Sequence, residues 1–106
     1  MIKKNSFLKK YLQDYIKLVD NIDEKKINFF FNQVKNLKKK NKILIFSNGA
    51  GAAIASHVAS DLTNSSKIRA LSFDNSAQIT CFSNDYKFEN WILKTLEYHY
   101  DKGDLV

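Results

Sequence analysis

Lys42-Ile43-Leu44-Ile45-Phe46-Ser47-Asn48-Gly49-Ala50-Gly51-Ala52-Ala53-Ile54-Ala55-Ser56-His57-Val58-Ala59-Ser60-Asp61-Leu62 decides the fold of this chain. The run Ile43-Leu44-Ile45-Phe46 is apolar at every position, with no alternation. A strand of that kind belongs to a parallel sheet covered on both faces. It opens into a turn of small residues, and an Ala- and Ser-rich helix from about Gly51 to Thr63 leaves it. Small side chains let such a helix lie close to the sheet. A strand, a glycine turn and a helix N-terminus in succession aim backbone N–H groups at an anion. His57 and Asp61 stand four residues apart, on one face of the helix.

Outward from this stretch the chain alternates. Lys67-Ile68-Arg69-Ala70-Leu71-Ser72-Phe73 reads as a second strand after the loop Asn64-Ser65-Ser66. A short helix is expected over Gln78–Phe82, broken by Ser83-Asn84-Asp85-Tyr86, and another helix over Phe88–Tyr100. Asp101-Lys102-Gly103-Asp104 reads as a turn, and Leu105-Val106 as the opening of a third strand. Strand–helix–strand alternation implies a parallel, doubly wound sheet with helices on both faces, a three-layer α/β/α architecture. Before it, apolar residues at spacings of three and four predict two amphipathic helices, from Ser6 to about Val19 and from Glu24 to Lys40. Lys38-Lys39-Lys40 is expected to close the second, where cations suit the helix dipole. Residues 1–41 are thus a helical hairpin suited to a subunit contact, and 42–106 the βαβ portion of one partial domain. Two full strands leave exposed edges and little core, so these residues are expected to be the first half of a larger fold.

Composition narrows the class. Hydrophobic residues at 44% and aromatics at 13% supply a modest core and exclude a disordered chain. No run of about 18 apolar residues predicts a membrane span. The N-terminus lacks the apolar core of a secretory signal, and Cys81 is the only cysteine, so the expectation is a cytoplasmic protein without disulfides. The net charge of +6 is uneven: residues 1–42 hold twelve Lys and four acids, and 43–106 hold five basic and seven acidic residues. The basic third reads as a solvated lysine face, and nucleic acid is not the expected partner. Cys81 reads as a core thiol, His99 as a dipole-favouring residue, and Trp91 and Phe29-Phe30-Phe31 as packing residues.

Three motifs in order resemble those of sugar isomerase (SIS) domain proteins, and among them the phosphoheptose isomerases. They are Asn48-Gly49-Ala50-Gly51, then His57-Val58-Ala59-Ser60-Asp61, then Asn84-Asp85-Tyr86-Lys87-Phe88. Gly103-Asp104-Leu105-Val106 matches the turn and strand that precede the family's Ser/Thr-rich phosphate loop. The resemblance implies an aldose–ketose isomerase of sedoheptulose 7-phosphate, feeding heptose into surface polysaccharide. It implies substrate contacts at Asn48, Gly49, Ala50, Gly51, Asn84 and Asp85, an acid/base role for Asp61, and zinc on His57 and Asp61. It also implies a phosphorylated sugar as ligand and assembly as a homodimer or homotetramer.

The departures from the family pattern are specific. Ala50 replaces a Gly, Gly51 a Ser, and Asp61 a Glu, so the carboxylate is one methylene shorter. The family's Ser/Thr loop and its later His and Gln have no counterpart in these residues. The residues alone leave alternatives open. His57 and Asp61 also suit a plain helix-surface pair, and two donors do not complete a zinc site. Asn84-Asp85 also suits a cap for the helix near Phe88. The rival functional readings are a non-catalytic phosphosugar-binding or oligomeric adaptor module, and an inactive truncated remnant.

Overall fold

The structure, a computed structural model, describes residues 4–106. The chain divides into two compact units, Met1–Asn32 and Gln33–Val106.

Helix α1 spans Lys4–Asp20, and α2 spans Glu24–Lys35. Asp23 caps α2: its Oδ1 accepts from the backbone N–H groups of Lys25 and Lys26 at 3.0 and 3.4 Å. The apolar stripes are as the spacing predicts, but neither helix covers the other's. Tyr11, Leu12 and Tyr15 on α1 and Phe29, Phe30 and Phe31 on α2 are all exposed, so the three phenylalanines are not packed as expected. An apolar stripe left this open is a face waiting for a partner surface.

Helix α2 also ends earlier than its stripe suggested. It stops at Lys35, and the chain turns twice, through Leu37 N–H to Val34 C=O and Asn41 N–H to Lys38 C=O. Lys38, Lys39 and Lys40 therefore lie beyond the helix, and Lys35 is the cation of its last turn. No Gly or Pro marks this stop. The turn lets Leu37 join Val34, from the last turn of α2, against the core of the second unit.

That unit is built on strand β1, Ile43–Ile45, and strand β2, Ala70–Ser72, joined by helix α3, Ala50–Asn64. The strands pair in parallel, with Ile43 opposite Ala70 and Ile45 opposite Ser72. On β1's other side Leu105 makes a parallel bridge to Ile43. Leu44 N–H donates to Leu105 C=O at 2.8 Å, and Leu105 N–H to Lys42 C=O at 3.0 Å. The expected third strand thus begins at Leu105, and β1 is central. Helix α4 spans Ser76–Tyr86, a 3-10 turn covers Phe88–Asn90, and α5 spans Trp91–His99.

The unbroken apolar run of β1 divides between two cores. Ile43 and Ile45 face α3 with Ala59, Leu62, Ala70 and Leu105. Leu44 and Phe46 face α4 and α5 with Phe73, Trp91, Ile79 and Leu96. Helices therefore cover both faces, giving the three layers expected of a parallel sheet. Phe46 stacks on Phe73 at 4.7 Å and meets Trp91 edge-on at 5.7 Å. His99 lies on Phe73, with ring centroids 4.9 Å apart, so it packs as well as closing its helix.

Two further expectations change. Helix α4 does not break at Ser83 but runs on to Tyr86, so Asn84 and Asp85 occupy its last turn and cap nothing that follows. Its cap is at the other end, where Asn75 Oδ1 accepts from Gln78 N–H at 3.0 Å. Cys81 is exposed on this helix instead of buried, because Phe82 and Ile79 take the core-facing positions.

Among the described residues no helix is long and apolar enough to cross a membrane.

Candidate functional site

The carboxyl end of β1 lies between β2 and the Leu105 bridge, where successive strands leave in opposite directions across the sheet. Ligands of open α/β sheets sit outside the carboxyl ends of the strands at such a reversal. The segment emerging there is Phe46 to Gly51, the turn singled out in the sequence.

Gly49 is the N-cap of α3, with φ 57° and ψ −133°, a conformation that excludes a side chain in practice. No side chain caps the helix there. Gly51 N–H donates to Asn48 C=O and Ala52 N–H to Gly49 C=O, both at 3.1 Å. Asn48, Gly49 and Ala50 are exposed at this helix start. With those two N–H groups spent inside the turn, the N–H groups of Gly49 and Ala50 are the donors left at the positive dipole end of the helix.

Gly51 also serves a close approach. A Cβ built on it would lie 2.1 Å from Ser47 Oγ. The Ser47 hydroxyl therefore occupies the space that a side chain at position 51 would need. Sequence reasoning missed Ser47; a hydroxyl residue four positions before a glycine in a tight turn was the available signal. Gly51→Ala is expected to destabilise the protein in the presence of Ser47 and to be tolerated in a Ser47→Gly background. The coupling in a double-mutant cycle, read by urea denaturation, should be about 1–2 kcal/mol. Additive effects would show that the hydroxyl turns away at no cost.

Two turns into α3, His57 Nε2 and Asp61 Oδ2 stand 3.3 Å apart, with side chains 79% and 65% exposed. Ile54 and Val58 share this open face. Two ligands at ~2.05 Å from one tetrahedral zinc are themselves about 3.3 Å apart, so the spacing suits a shared ion. Yet zinc takes three or four protein donors. Among the described residues no group of three His, Cys, Asp or Glu side chains stands close enough to hold a metal. The chain's own residues fit half of such a site.

Asn84 and Asp85 are together but tied to their own helix. Asn84 Nδ2 donates to Asp85 Oδ1 at 3.1 Å, and Cys81 Sγ lies 3.7 Å from Asp85 Oδ2. No hydrogen bond among the described residues links them to the turn or to the His57–Asp61 pair. The structure thus forms three local groups, two of them on α3 and the third on α4.

No family profile matches the chain. Curated relatives do. It is 39% identical to phosphoheptose isomerase of Aliarcobacter butzleri over 80 residues, which is 69% of this chain and 42% of that protein. It is 40% identical to the Helicobacter hepaticus phosphoheptose isomerase over 79 residues, covering 68% of this chain and 40% of that one. It is 32% identical to the Trichlorobacter lovleyi phosphoheptose isomerase over 112 residues, covering 95% and 57%. The chain thus spans about half the length of the curated relatives it matches. The solved phosphoheptose isomerase of Neisseria gonorrhoeae superposes with a TM-score of 0.76 at 22% identity, over 94% of this chain and 54% of that one, and so shares its fold. The shared fold and the 39–40% identity over more than two thirds of its length place the chain in the phosphoheptose isomerase-like SIS family.

Proposed function

We propose that the protein is a phosphosugar isomerase that interconverts aldose and ketose forms of a seven-carbon sugar phosphate, sedoheptulose 7-phosphate, for heptose biosynthesis. The observation that carries this is the coincidence of identity and geometry. The matching relatives are named phosphoheptose isomerase, and the Asn48–Gly51 turn lies where an α/β sheet places its ligand.

In this reading Asn48, Gly49, Ala50 and Gly51 contact the substrate, with Asn84 and Asp85 as further contacts. Asp61 is the base. It removes the proton beside the sugar carbonyl, giving an enediol, and a proton returns to the neighbouring carbon. The turn and Asp61 stand eleven residues apart on α3, about 16 Å along its axis, so the turn's N–H groups contact a part of the extended substrate away from the reacting carbons. A zinc ion held by His57 and Asp61 would polarise the carbonyl oxygen, and these two residues supply half of the ligands it needs. The open apolar faces of α1 and α2 support assembly as a homodimer or homotetramer. The proposed compartment is the cytoplasm.

The test is calorimetry and a coupled isomerase assay with sedoheptulose 7-phosphate. Saturable binding with turnover is the expected result. Binding without turnover would replace the enzyme with a phosphosugar-binding module. Absence of binding would overturn the reading.

A further inference from the structure

The strands run parallel, so the segments that enter them meet at the amino edge of the sheet. These are Lys38 to Lys42 before β1, Lys67 to Arg69 before β2, and Asp101 to Asp104 before Leu105. They bring seven cations to that edge against two carboxylates, Asp101 and Asp104, and both carboxylates are held by Lys42. The rest of the second unit has three cations and five carboxylates. The cations of this unit are therefore concentrated at the amino edge of the sheet.

The basic edge is concave. A cavity of about 390 Å³ is lined by Lys38, Lys40 and Lys102 with the amide side chains of Gln33 and Asn36. A second, of about 400 Å³, shares Lys40, Asn41 and Lys102 with it and is also lined by Asp101, the carboxylate paired with Lys42. None of Lys38, Lys39, Lys40 and Lys102 makes an ion pair with a carboxylate of the described residues. Neither cavity is lined by an aromatic side chain, so the surface offers no platform for stacking bases. Lysines recognise phosphate as point charges, and amide N–H₂ groups add neutral donors.

We propose that this edge is a second ligand site, separate from the Asn48–Gly51 turn, that binds a small oligophosphate anion through Lys38, Lys40 and Lys102. The cavity is of ligand-pocket size, and cations spread across its rim match charge distributed along a chain of phosphates better than a single one.

The test uses inorganic tripolyphosphate as probe, by calorimetry at physiological ionic strength. Saturable binding is expected to weaken about tenfold or more in the triple variant Lys38→Gln/Lys40→Gln/Lys102→Gln. It should change less than about twofold in Lys9→Gln/Lys17→Gln/Lys25→Gln, which removes the same charge from the helices of the first unit. Amide resonances of Lys38 to Asn41 and of Lys102 and Gly103 should shift on titration. No saturable binding, equal weakening in both variants, or shifts confined to Asn48–Ala52 would each overturn the proposal. So would retention on RNA or on anionic vesicles without tripolyphosphate binding, since the surface would then serve a macromolecule. None of these readouts depends on sugar phosphate turnover.

Discussion

Asp104→Ala is expected to destabilise the second unit by about 3–5 kcal/mol, a large share of what holds a domain of this size together. The Asp104 side chain has no exposure, and four donors saturate its carboxylate. Oδ1 accepts from Asn41 Nδ2 and from Lys42 N–H, both at 3.0 Å. Oδ2 accepts from Lys42 Nζ at 2.6 Å and from Asp101 N–H at 2.9 Å. Lys42 is itself buried, at 7% side-chain exposure, and its second carboxylate partner, Asp101, is largely in solvent. Removing Asp104 takes from the buried ammonium one of its two carboxylates, from the Asn41 amide one of its two acceptors, and from the Lys42 and Asp101 N–H groups the carboxylate they donate to, which costs far more than the net worth of the pair. It also frees the Leu105 segment, whose register on β1 this cluster sets. Trp91, the only tryptophan, is 2% exposed beneath β1, so its fluorescence reports the urea transition. Lys42→Met/Asp104→Leu should cost less than Asp104→Ala alone, because no charge is then stranded. A loss below about 1 kcal/mol in Asp104→Ala would refute this account.

The same cluster sets a pH window. Burial pushes the Asp104 carboxyl up, but Lys42 Nζ, the Asp101 N–H, the Asn41 amide and the Lys42 N–H together hold it well below its ordinary 3.8. Its contribution is therefore complete above about pH 4 and is lost as pH falls towards the depressed value. Lys42 is raised above its ordinary 10.5, by Asp101 first and Asp104 second, against desolvation. Its contribution holds below that value and is lost as pH rises through the raised one. Wild-type stability should be flat between these limits as far as this pair is concerned, and Asp104→Ala should lose much of the acid limb.

This cluster was not legible in the sequence, where Asp101-Lys102-Gly103-Asp104 reads only as a turn. Its partners, Asn41 and Lys42, lie about sixty residues away, and no local pattern signals a contact of that separation. What local pattern does carry was legible. Ile43-Leu44-Ile45-Phe46 announces a strand covered on both faces, and its odd and even residues do enter two different cores. The i, i+4 spacing of His57 and Asp61 puts them on one face, and the structure brings them to 3.3 Å. Element ends failed where nothing local marks them. Lys38-Lys39-Lys40 are good helix formers, and only the pull of Leu37 into the core explains the turn before them. Asn84-Asp85 are weak helix formers, yet they continue α4 in its last turn, where the loss of helix propensity matters least. Ser47 escaped notice because its meaning depends on Gly51 folding back over it.

On the proposed isomerase reading, Asp61→Asn is expected to lower kcat for sedoheptulose 7-phosphate by about 10²–10⁴-fold, with a much smaller change in KM. The substitution keeps the size of the side chain and removes the one carboxylate placed on α3 to accept a proton. Asp61 is 65% exposed and its only side-chain partner among the described residues is His57, so stability should stay within about 0.5 kcal/mol of wild type. That separates loss of a base from loss of fold. Asp61→Glu makes the argument sharper. A base must come within about 3 Å of the proton it takes, and the aspartate is a methylene shorter than the glutamate of the family pattern. If reach limits the rate, Asp61→Glu should equal or exceed wild type, whereas a site tuned to aspartate should lose activity in both variants. His57→Gln tests the pair from the other side: a KM or metal-dependence effect without the kcat loss of Asp61→Asn would confine His57 to positioning. Unchanged turnover in Asp61→Asn would remove Asp61 from the chemistry and leave α3 with a binding role alone.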